Sequence, residues 1–298
     1  MKYFGLIFLL ISSVLSAKTV HSLGEIPQHI KHSAGKTYWE EQMVGAKPQN
    51  YFGRDFFADK ENYKKILFLI DPKLLIEKNW KFMGVRPWPR QPDTYIFTAC
   101  STDEKDKKYD FDVDYCHYLN TGKTVFAVIK IDKDNNISLI AKPWIDDGNN
   151  TEQTAFLITN DQKQNVTGNP IRLDFAPYQL SSEILAFGVR HNAMVGYSGG
   201  GAIDEAMTLF AVIDGQLLPI LNVPTYHFAD YAGSWHKDGT RDHDIYENLY
   251  IIRVLSSSTS GMKDLAWSEV DGKKKHTSVI YKWDNVNKRY IKQKAKRK

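Results

Sequence analysis

Residues 195–210 read VGYSGGGAIDEAMTLF, and the interpretation of this stretch decides the fold. It contains a G-x-S-x-G pattern, which exposes a nucleophilic serine where a buried strand precedes the serine and a helix follows directly. Here Ser198 is followed by residues 207–213 (MTLFAVI), a run of the β-branched, aromatic and apolar residues that strands favour. We therefore predict that this stretch is a glycine-rich connection between two strands. The alternative is that Ser198 is a catalytic nucleophile.

The same order of features recurs along the chain. Two segments have similar sequences, residues 124–140 (TVFAVIKIDKDNNISLI) and residues 208–221 (TLFAVIDGQLLPIL). Each has the pattern of a strand, a turn and a second strand. A third unit runs from residues 248–255 (NLYIIRVL) to 278–293, with a turn at 284–288 (DNVNK). Short β runs separated by Asn-, Asp- or Gly-containing turns are typical of hairpins. The pattern predicts a mostly β fold of antiparallel meander or hairpin repeats, propeller-like or sandwich, with an irregular N-terminal segment.

Four regions follow from this pattern. Residues 1–17 (MKYFGLIFLLISSVLSA) have the basic start, apolar run and small residues of a signal peptide, with cleavage expected after Ser16 or Ala17. Residues 18–90 form the irregular segment, packed on the main domain, and residues 66–70 (ILFLI) are predicted to be a strand within it. Residues 91–290 form the β-meander domain, with a further strand at 151–160, and residues 291–298 form a basic disordered tail.

The signal peptide indicates a periplasmic or secreted protein of the bacterial envelope. The sequence predicts no transmembrane segment in the mature chain, because no later apolar run is long enough. The formal net charge is +4, much of it in the tail, so weak contact with anionic envelope polymers is an expectation. Export argues against nucleic acid as a partner, and no cofactor is predicted.

Cys100 and Cys116 are the two cysteines of the chain. In an exported protein an even number of cysteines indicates disulfide bonding, so we predict a Cys100–Cys116 disulfide. Closing a loop of this length contributes about 3 kcal/mol to the free energy of unfolding in the chain-entropy model. The alternative is a pair of inert thiols.

The polar loop at residues 236–244 (HKDGTRDHD) is a second candidate for chemistry. His236, Asp238, Asp242 and His243 carry imidazole and carboxylate groups of the kind that bind zinc. Lys237 and Arg241 in the same run would repel a cation, so a solvated loop is the preferred interpretation and the metal site the alternative. His243 is the best candidate for acid–base catalysis, but the sequence identifies no partner for it.

Binding residues are predicted on the loops of the β units, because equivalent loops of a repeated meander emerge on one side of the scaffold. The expected surface combines the loops at 101–115, 196–201 and 236–244. An acidic ridge would face a basic partner, and an aromatic side chain would anchor it. The residues proposed for these two roles are Asp110, Asp112, Asp114, Tyr197 and Trp235.

The function predicted from these features is binding without catalysis. The expected partner is another protein, which this one would neutralise, as a toxin immunity protein or an inhibitor of a lysozyme-type enzyme does. The alternative is a secreted serine or metal-dependent hydrolase that uses Ser198 or His243. A second alternative is a module that binds cell-wall glycan through Trp88 and Trp235, since exposed aromatic rings stack on sugars.

Overall fold

A computed structural model of the chain describes residues 18–40, 44, 60–76, 80–102, 121–146, 169–270 and 278–293. In this part of the chain the large sheet contains β1 (Lys18–Val20), β7 (Asn169–Gln179), β8 (Leu185–Tyr197), β9 (Gly200–Ile213), β10 (Gln216–Trp235), β11 (Arg241–Thr259), β12 (Met262–Glu269), β13 (Val279–Asp284) and β14 (Arg289–Lys292). The small sheet contains β2 (Trp80–Pro87), β3 (Thr94–Thr102), β4 (Thr121–Ile131), β5 (Ile137–Leu139) and β6 (Trp144–Asp146). The helices are α1 (Ile26–His29), α2 (Ser33–Trp39) and α3 (Lys60–Ile70), with 3₁₀ turns at Leu23–Glu25 and Pro72–Ile76.

Both sheets are antiparallel meanders, which confirms the predicted fold class. The large sheet has the order β14-β13-β12-β11-β10-β9-β8-β7, and β1 pairs with β11. The small sheet has the order β2-β3-β4-β5, and β6 pairs with β4. Apart from β1 and β6, strands that follow one another in each sheet are thus neighbours in space, as short turns between antiparallel strands require.

The two sheets share one core. Phe126 and Trp144 of the small sheet pack against Phe210 of the large sheet, with both ring-centroid distances at 5.4 Å. Phe187 on β8 stacks on Phe210 from within the large sheet. Inner faces that interdigitate in this way belong to a sandwich arrangement of sheets.

The prediction of a strand at residues 66–70 is wrong, because these residues end helix α3. Ile66 and Leu67 lie about one helical turn after Tyr63, and all three are buried against the outer face of the small sheet. Phe68 and Leu69, on the other side of the helix, are exposed. A short run of consecutive apolar residues is compatible with a buried strand or with a segment of helix. Only the spacing of Tyr63, three and four residues before Ile66 and Leu67, distinguishes the two.

The start of the described chain covers the large sheet near the end where β9, β10 and β11 meet. Val20, Ile26 and Tyr38 are buried there against Phe228 and Ile245. The segment is therefore held on the sheet by a continuous apolar contact, and strand β1 adds backbone pairing to β11. No helix in the described ranges is long and apolar enough to cross a membrane.

Candidate binding site at the end of the large sheet

The G-x-S-x-G stretch is a tight hairpin turn. Tyr197 on β8 pairs with Gly200 on β9, so Ser198 and Gly199 alone form the connection. Gly199 has φ = 89°, a conformation that glycine adopts without steric cost. The residues after the turn form the 14-residue strand β9 rather than a helix, as the sequence predicts. Ser198 therefore does not lie in the strand–turn–helix setting of a nucleophile.

The loop at residues 236–240 lies beside this turn, at the same end of the sheet. A Cβ atom added to Gly199 would lie 2.7 Å from the Arg241 guanidinium and 3.3 Å from Cβ of Ala232. The Tyr197 hydroxyl also donates a hydrogen bond of 2.7 Å to the carbonyl oxygen of Asp230 on β10. The structure thus brings together two of the three loops that the sequence assigns to one surface.

The third loop lies largely outside the described residues. Asp110, Asp112, Asp114 and Cys116 all fall in the range 103–120. Cys100 is described, and it is fully buried on β3. The acidic ridge and the Cys100–Cys116 disulfide therefore stay predictions.

Three aromatic side chains project at this end, and we call them the aromatic tip: Tyr197, Tyr231 and Trp235. Their exposed fractions are 44%, 49% and 69%, respectively. The Arg241 guanidinium carbon lies 5.1 Å from the centroid of the Trp235 ring, within range for a cation–π interaction. Partial burial, together with the neighbouring Asp230 and Tyr231, raises the pKa of the Tyr197 hydroxyl. The Tyr197 hydroxyl is therefore neutral at physiological pH.

Next to the aromatic tip, two histidines converge on one carboxylate. His21 Nδ1 lies 3.0 Å and His236 Nε2 lies 2.7 Å from the same oxygen of Asp242, Oδ1. The hydrogen bonds from His236 and His21 lower the pKa of the Asp242 carboxyl, which keeps it ionised. The ligand atoms of the three side chains lie within 4.8 Å of one another. This cluster combines two residues of the loop with one from the start of the described chain.

The other two residues of the predicted metal set have different partners. Asp238 accepts hydrogen bonds from the backbone nitrogen and hydroxyl of Thr240, and these bonds lower its pKa and fix the turn. His243 lies 2.8 Å through Nδ1 from Asp230 Oδ1, and the two side chains are only 4% and 5% exposed. Burial raises the pKa of Asp230 despite the hydrogen bond and charge of His243. The structure thus supplies the partner of His243 that the sequence does not identify, in an enclosed position.

A second charged group lies inside the large sheet, away from the tip. The Arg190 guanidinium donates to Asp174 Oδ2 at 2.7 and 2.9 Å and also to the buried carboxylate of Glu205. Burial raises the pKa of Asp174, but the charge of Arg190 and its hydrogen bonds outweigh this effect, so the pKa lies below its usual value. Removing one partner of such a pair is destabilising, because it leaves the other charge buried and uncompensated.

Comparison with known proteins gives no relative from which a role could be transferred: no family model, curated protein or solved structure matches the chain. The function of the chain must therefore be inferred from the residues of the site itself.

Sequence reasoning missed two members of the site, His21 and Tyr231. His21 is 215 residues from His236, and only the pairing of β1 with β11 brings them together. Tyr231 follows the buried residues 228–230 in HFADYAGSW (residues 227–235), and because successive side chains of a strand point to opposite faces, it lies on the face opposite to Asp230. Trp88, expected to be exposed, is instead buried in the shared core, edge-on to Phe187 at 5.3 Å.

Proposed function

We propose that this is an exported binding protein without catalysis, which attaches to another protein through the aromatic tip. The observation that carries the proposal is the exposure of Tyr197, Tyr231 and Trp235 together at one end of the large sheet. Tyrosine, tryptophan and arginine are the residues that most often dominate the energy of protein interfaces. A globular domain has no structural need to expose three such rings at one end of a sheet.

The tip is supported by a rigid scaffold, which favours tight association. The Tyr197 hydroxyl is bonded to the backbone of β10, and the Tyr231 ring packs edge-on to Tyr246 at 5.5 Å. Arg241 is fixed by a 2.8 Å hydrogen bond from Nε to the carbonyl oxygen of Gly233. Side chains already held in one conformation lose less entropy on binding, typically about 0.5–1.5 kcal/mol for each mobile side chain that need not be ordered.

A protein partner is favoured over a glycan for two reasons. The glycan alternative requires Trp88 as a second platform, and Trp88 is buried. The remaining tryptophan, Trp235, carries the Arg241 guanidinium over its ring, which occupies a surface on which a sugar would stack. Aromatic and arginine side chains in contact are, by contrast, typical of protein hot spots.

The absence of catalysis is supported by the surroundings of the two candidate catalytic residues. Ser198 is in a two-residue turn between strands, and the His243–Asp230 pair is closed off from solvent. A general base must reach the proton that it removes, directly or through one water molecule. We therefore assign the His243–Asp230 pair a structural role.

We further propose that binding neutralises the partner, as in immunity to a toxin or inhibition of a lysozyme-type enzyme. The proposed partner is basic, because the acidic residues Asp110, Asp112 and Asp114 would accelerate its approach. Replacing all three by asparagine should slow association and weaken its dependence on salt, which surface plasmon resonance at two ionic strengths measures.

The test of the proposed site is site-specific crosslinking in the producing cell. A photoreactive phenylalanine analogue replaces Trp235 in one variant and Val286, an 88% exposed residue of the β13–β14 turn, in the control. We expect one discrete protein adduct at position 235, reduced by excess unmodified protein, and none at 286. Identical adducts at both positions, no adduct, or an adduct that is polysaccharide would contradict the proposal.

A further inference from the structure

We propose that His21, His236 and Asp242 form a binding site for a divalent transition-metal ion of the zinc class. The three residues converge at the surface, beside the aromatic tip but separate from it. The inference does not depend on the proposed function, because it concerns different side chains and is tested without a partner protein.

The spacing of the ligand atoms is close to what such an ion requires. Zinc binds imidazole nitrogen and carboxylate oxygen at about 2.0–2.2 Å in a tetrahedral arrangement, which separates neighbouring ligand atoms by about 3.4 Å. The two nitrogens now lie 3.0 and 2.7 Å from Asp242 Oδ1, and all three ligand atoms fall within 4.8 Å of one another. Small side-chain rotations are therefore sufficient to admit the ion between them.

The set of donors selects the class of ion. Two imidazoles and one carboxylate favour zinc, copper, nickel or cobalt, whereas magnesium and calcium prefer oxygen ligands alone. Three protein ligands leave the fourth tetrahedral position for water or for a group from a bound partner. The exposed fractions of the side chains, 74% for His21, 37% for His236 and 25% for Asp242, leave a path for the ion to enter.

The backbone fixes the ligands before any ion binds. Val20 pairs with His243, so His21 follows β1 directly opposite the start of β11. The turn that carries His236 is closed by two hydrogen bonds, from the His236 nitrogen to the Thr240 carbonyl and from the Gly239 nitrogen to the His236 carbonyl. Ligands already held near their bound positions lose little conformational entropy when the ion arrives.

One of the two positive charges that argued against a metal site from sequence, that of Arg241, is engaged elsewhere. Arg241 is directed away, to the Gly233 carbonyl and the Trp235 ring. The Glu25 carboxylate also accepts a hydrogen bond from the backbone nitrogen of His21, which adds a negative charge near the site. The site is thus less cationic than its sequence indicates.

Zn²⁺ binding to the purified chain, prepared without a polyhistidine tag, tests the inference. Isothermal titration should show one equivalent of Zn²⁺ bound, with no competition from Mg²⁺ or Ca²⁺. Co²⁺ should give the strong visible absorption of a four-coordinate complex. His21→Ala and Asp242→Asn should each weaken Zn²⁺ binding by at least about tenfold, because loss even of residues that only support metal ligands costs about 10–100-fold.

The matched control is His227→Ala. His227 Nδ1 lies 2.8 Å from Asp204 Oδ1 at the surface, which makes it a histidine–carboxylate pair outside the cluster. We expect this variant to bind Zn²⁺ like the unaltered chain, and circular dichroism confirms that each variant is folded. The inference is overturned if the unaltered chain takes up no Zn²⁺, or if His21→Ala and Asp242→Asn bind it as tightly as His227→Ala does.

Discussion

The Tyr197 hydroxyl donates its 2.7 Å hydrogen bond to the Asp230 carbonyl across the face of Gly200. A Cβ atom at Gly200 would lie 2.3 Å from that carbonyl oxygen and 2.7 Å from the hydroxyl. Both distances are shorter than atoms in contact tolerate. The hydrogen bond that positions one ring of the aromatic tip therefore depends on a glycine in the strand below it.

The first prediction follows from this contact. Gly200→Ala should lower the free energy of unfolding by about 1–3 kcal/mol, the usual cost of forcing an extra group into a packed site. Gly196→Ala, four residues earlier, is the control, because a Cβ atom there meets nothing within 4 Å. Urea unfolding should show the loss for the first variant and a change below about 0.5 kcal/mol for the second. Equal losses in both would mean that the chain does not pass this close to Tyr197.

The second prediction concerns Ser198. Ser198→Ala should leave the free energy of unfolding within about 0.5 kcal/mol, because the residue lies in a surface turn. A fluorophosphonate probe should not label the unaltered protein at this position, since only an activated serine reacts with it. Mass spectrometry of the treated protein measures the outcome. Stoichiometric labelling of Ser198 would identify a nucleophile and refute the assignment.

The third prediction assigns the binding energy to the aromatic tip. Once crosslinking has identified the partner, Trp235→Ala should weaken binding by at least about 2 kcal/mol, the usual threshold for a hot-spot residue. Val286→Ala, an exposed apolar residue in a different turn, should leave the affinity unchanged. Isothermal titration with both variants decides the point. Equal affinities for the two variants would place the interface elsewhere.

The fourth prediction uses the interior ion pair of Asp174 and Arg190. The pKa of Asp174 is lowered by folding, so its charge stabilises the native state above the unfolded pKa, near 3.9. This contribution is lost as the pH falls through the lower pKa of the folded state. Asp174→Asn should therefore be much less stable than the unaltered chain at pH 7, and the difference should shrink towards pH 3.

The control for this pH dependence is Asp214→Asn. Asp214 makes an exposed ion pair with Lys288 at 3.1 Å, and such pairs contribute about 0–1 kcal/mol. Its effect in urea unfolding should be small at both pH values. A deficit of Asp174→Asn that persists unchanged at pH 3 would show that packing, and not the charge, is responsible.

The fifth prediction concerns export and the cysteines. Mass spectrometry of the native protein should show loss of the first 16 or 17 residues, as expected of a signal peptide. The mass should also be two hydrogens below that of the reduced chain, because the sequence predicts a disulfide between Cys100 and Cys116. A full-length chain with two thiols that react with an alkylating agent would contradict both expectations.

The hairpins of both sheets are predictable from the sequence because their signals are local. Asp214 and Gly215 both have positive φ, as the two central residues of a tight hairpin turn require. The turn of residues 132–136 is held by the Asp132 carboxylate, which accepts backbone hydrogen bonds from Asp134 and Asn136. Asp, Asn and Gly at such positions mark a turn wherever they occur.

Features that depend on distant residues were not predictable in the same way. The burial of Trp88 requires that the small sheet pack on Phe187, almost a hundred residues later. The place of His21 requires that β1 pair with β11. Neither contact can be recognised within a short segment of sequence, because its partners are far apart in the chain. The site can therefore be identified only from the assembled sheets.

The position of β1 also prevents one edge of β11 from pairing with another copy of the chain. The first half of β11 pairs on one side with β10, while β12 takes up its other side only from Tyr250 onward. β1 pairs with the part of this edge that β12 leaves unpaired, at His243, Asp244 and Ile245. An uncovered strand edge is a template for a strand from another molecule. A chain that begins after Val20 would therefore expose three residues of bare edge, and we expect it to associate edge to edge with its own copies.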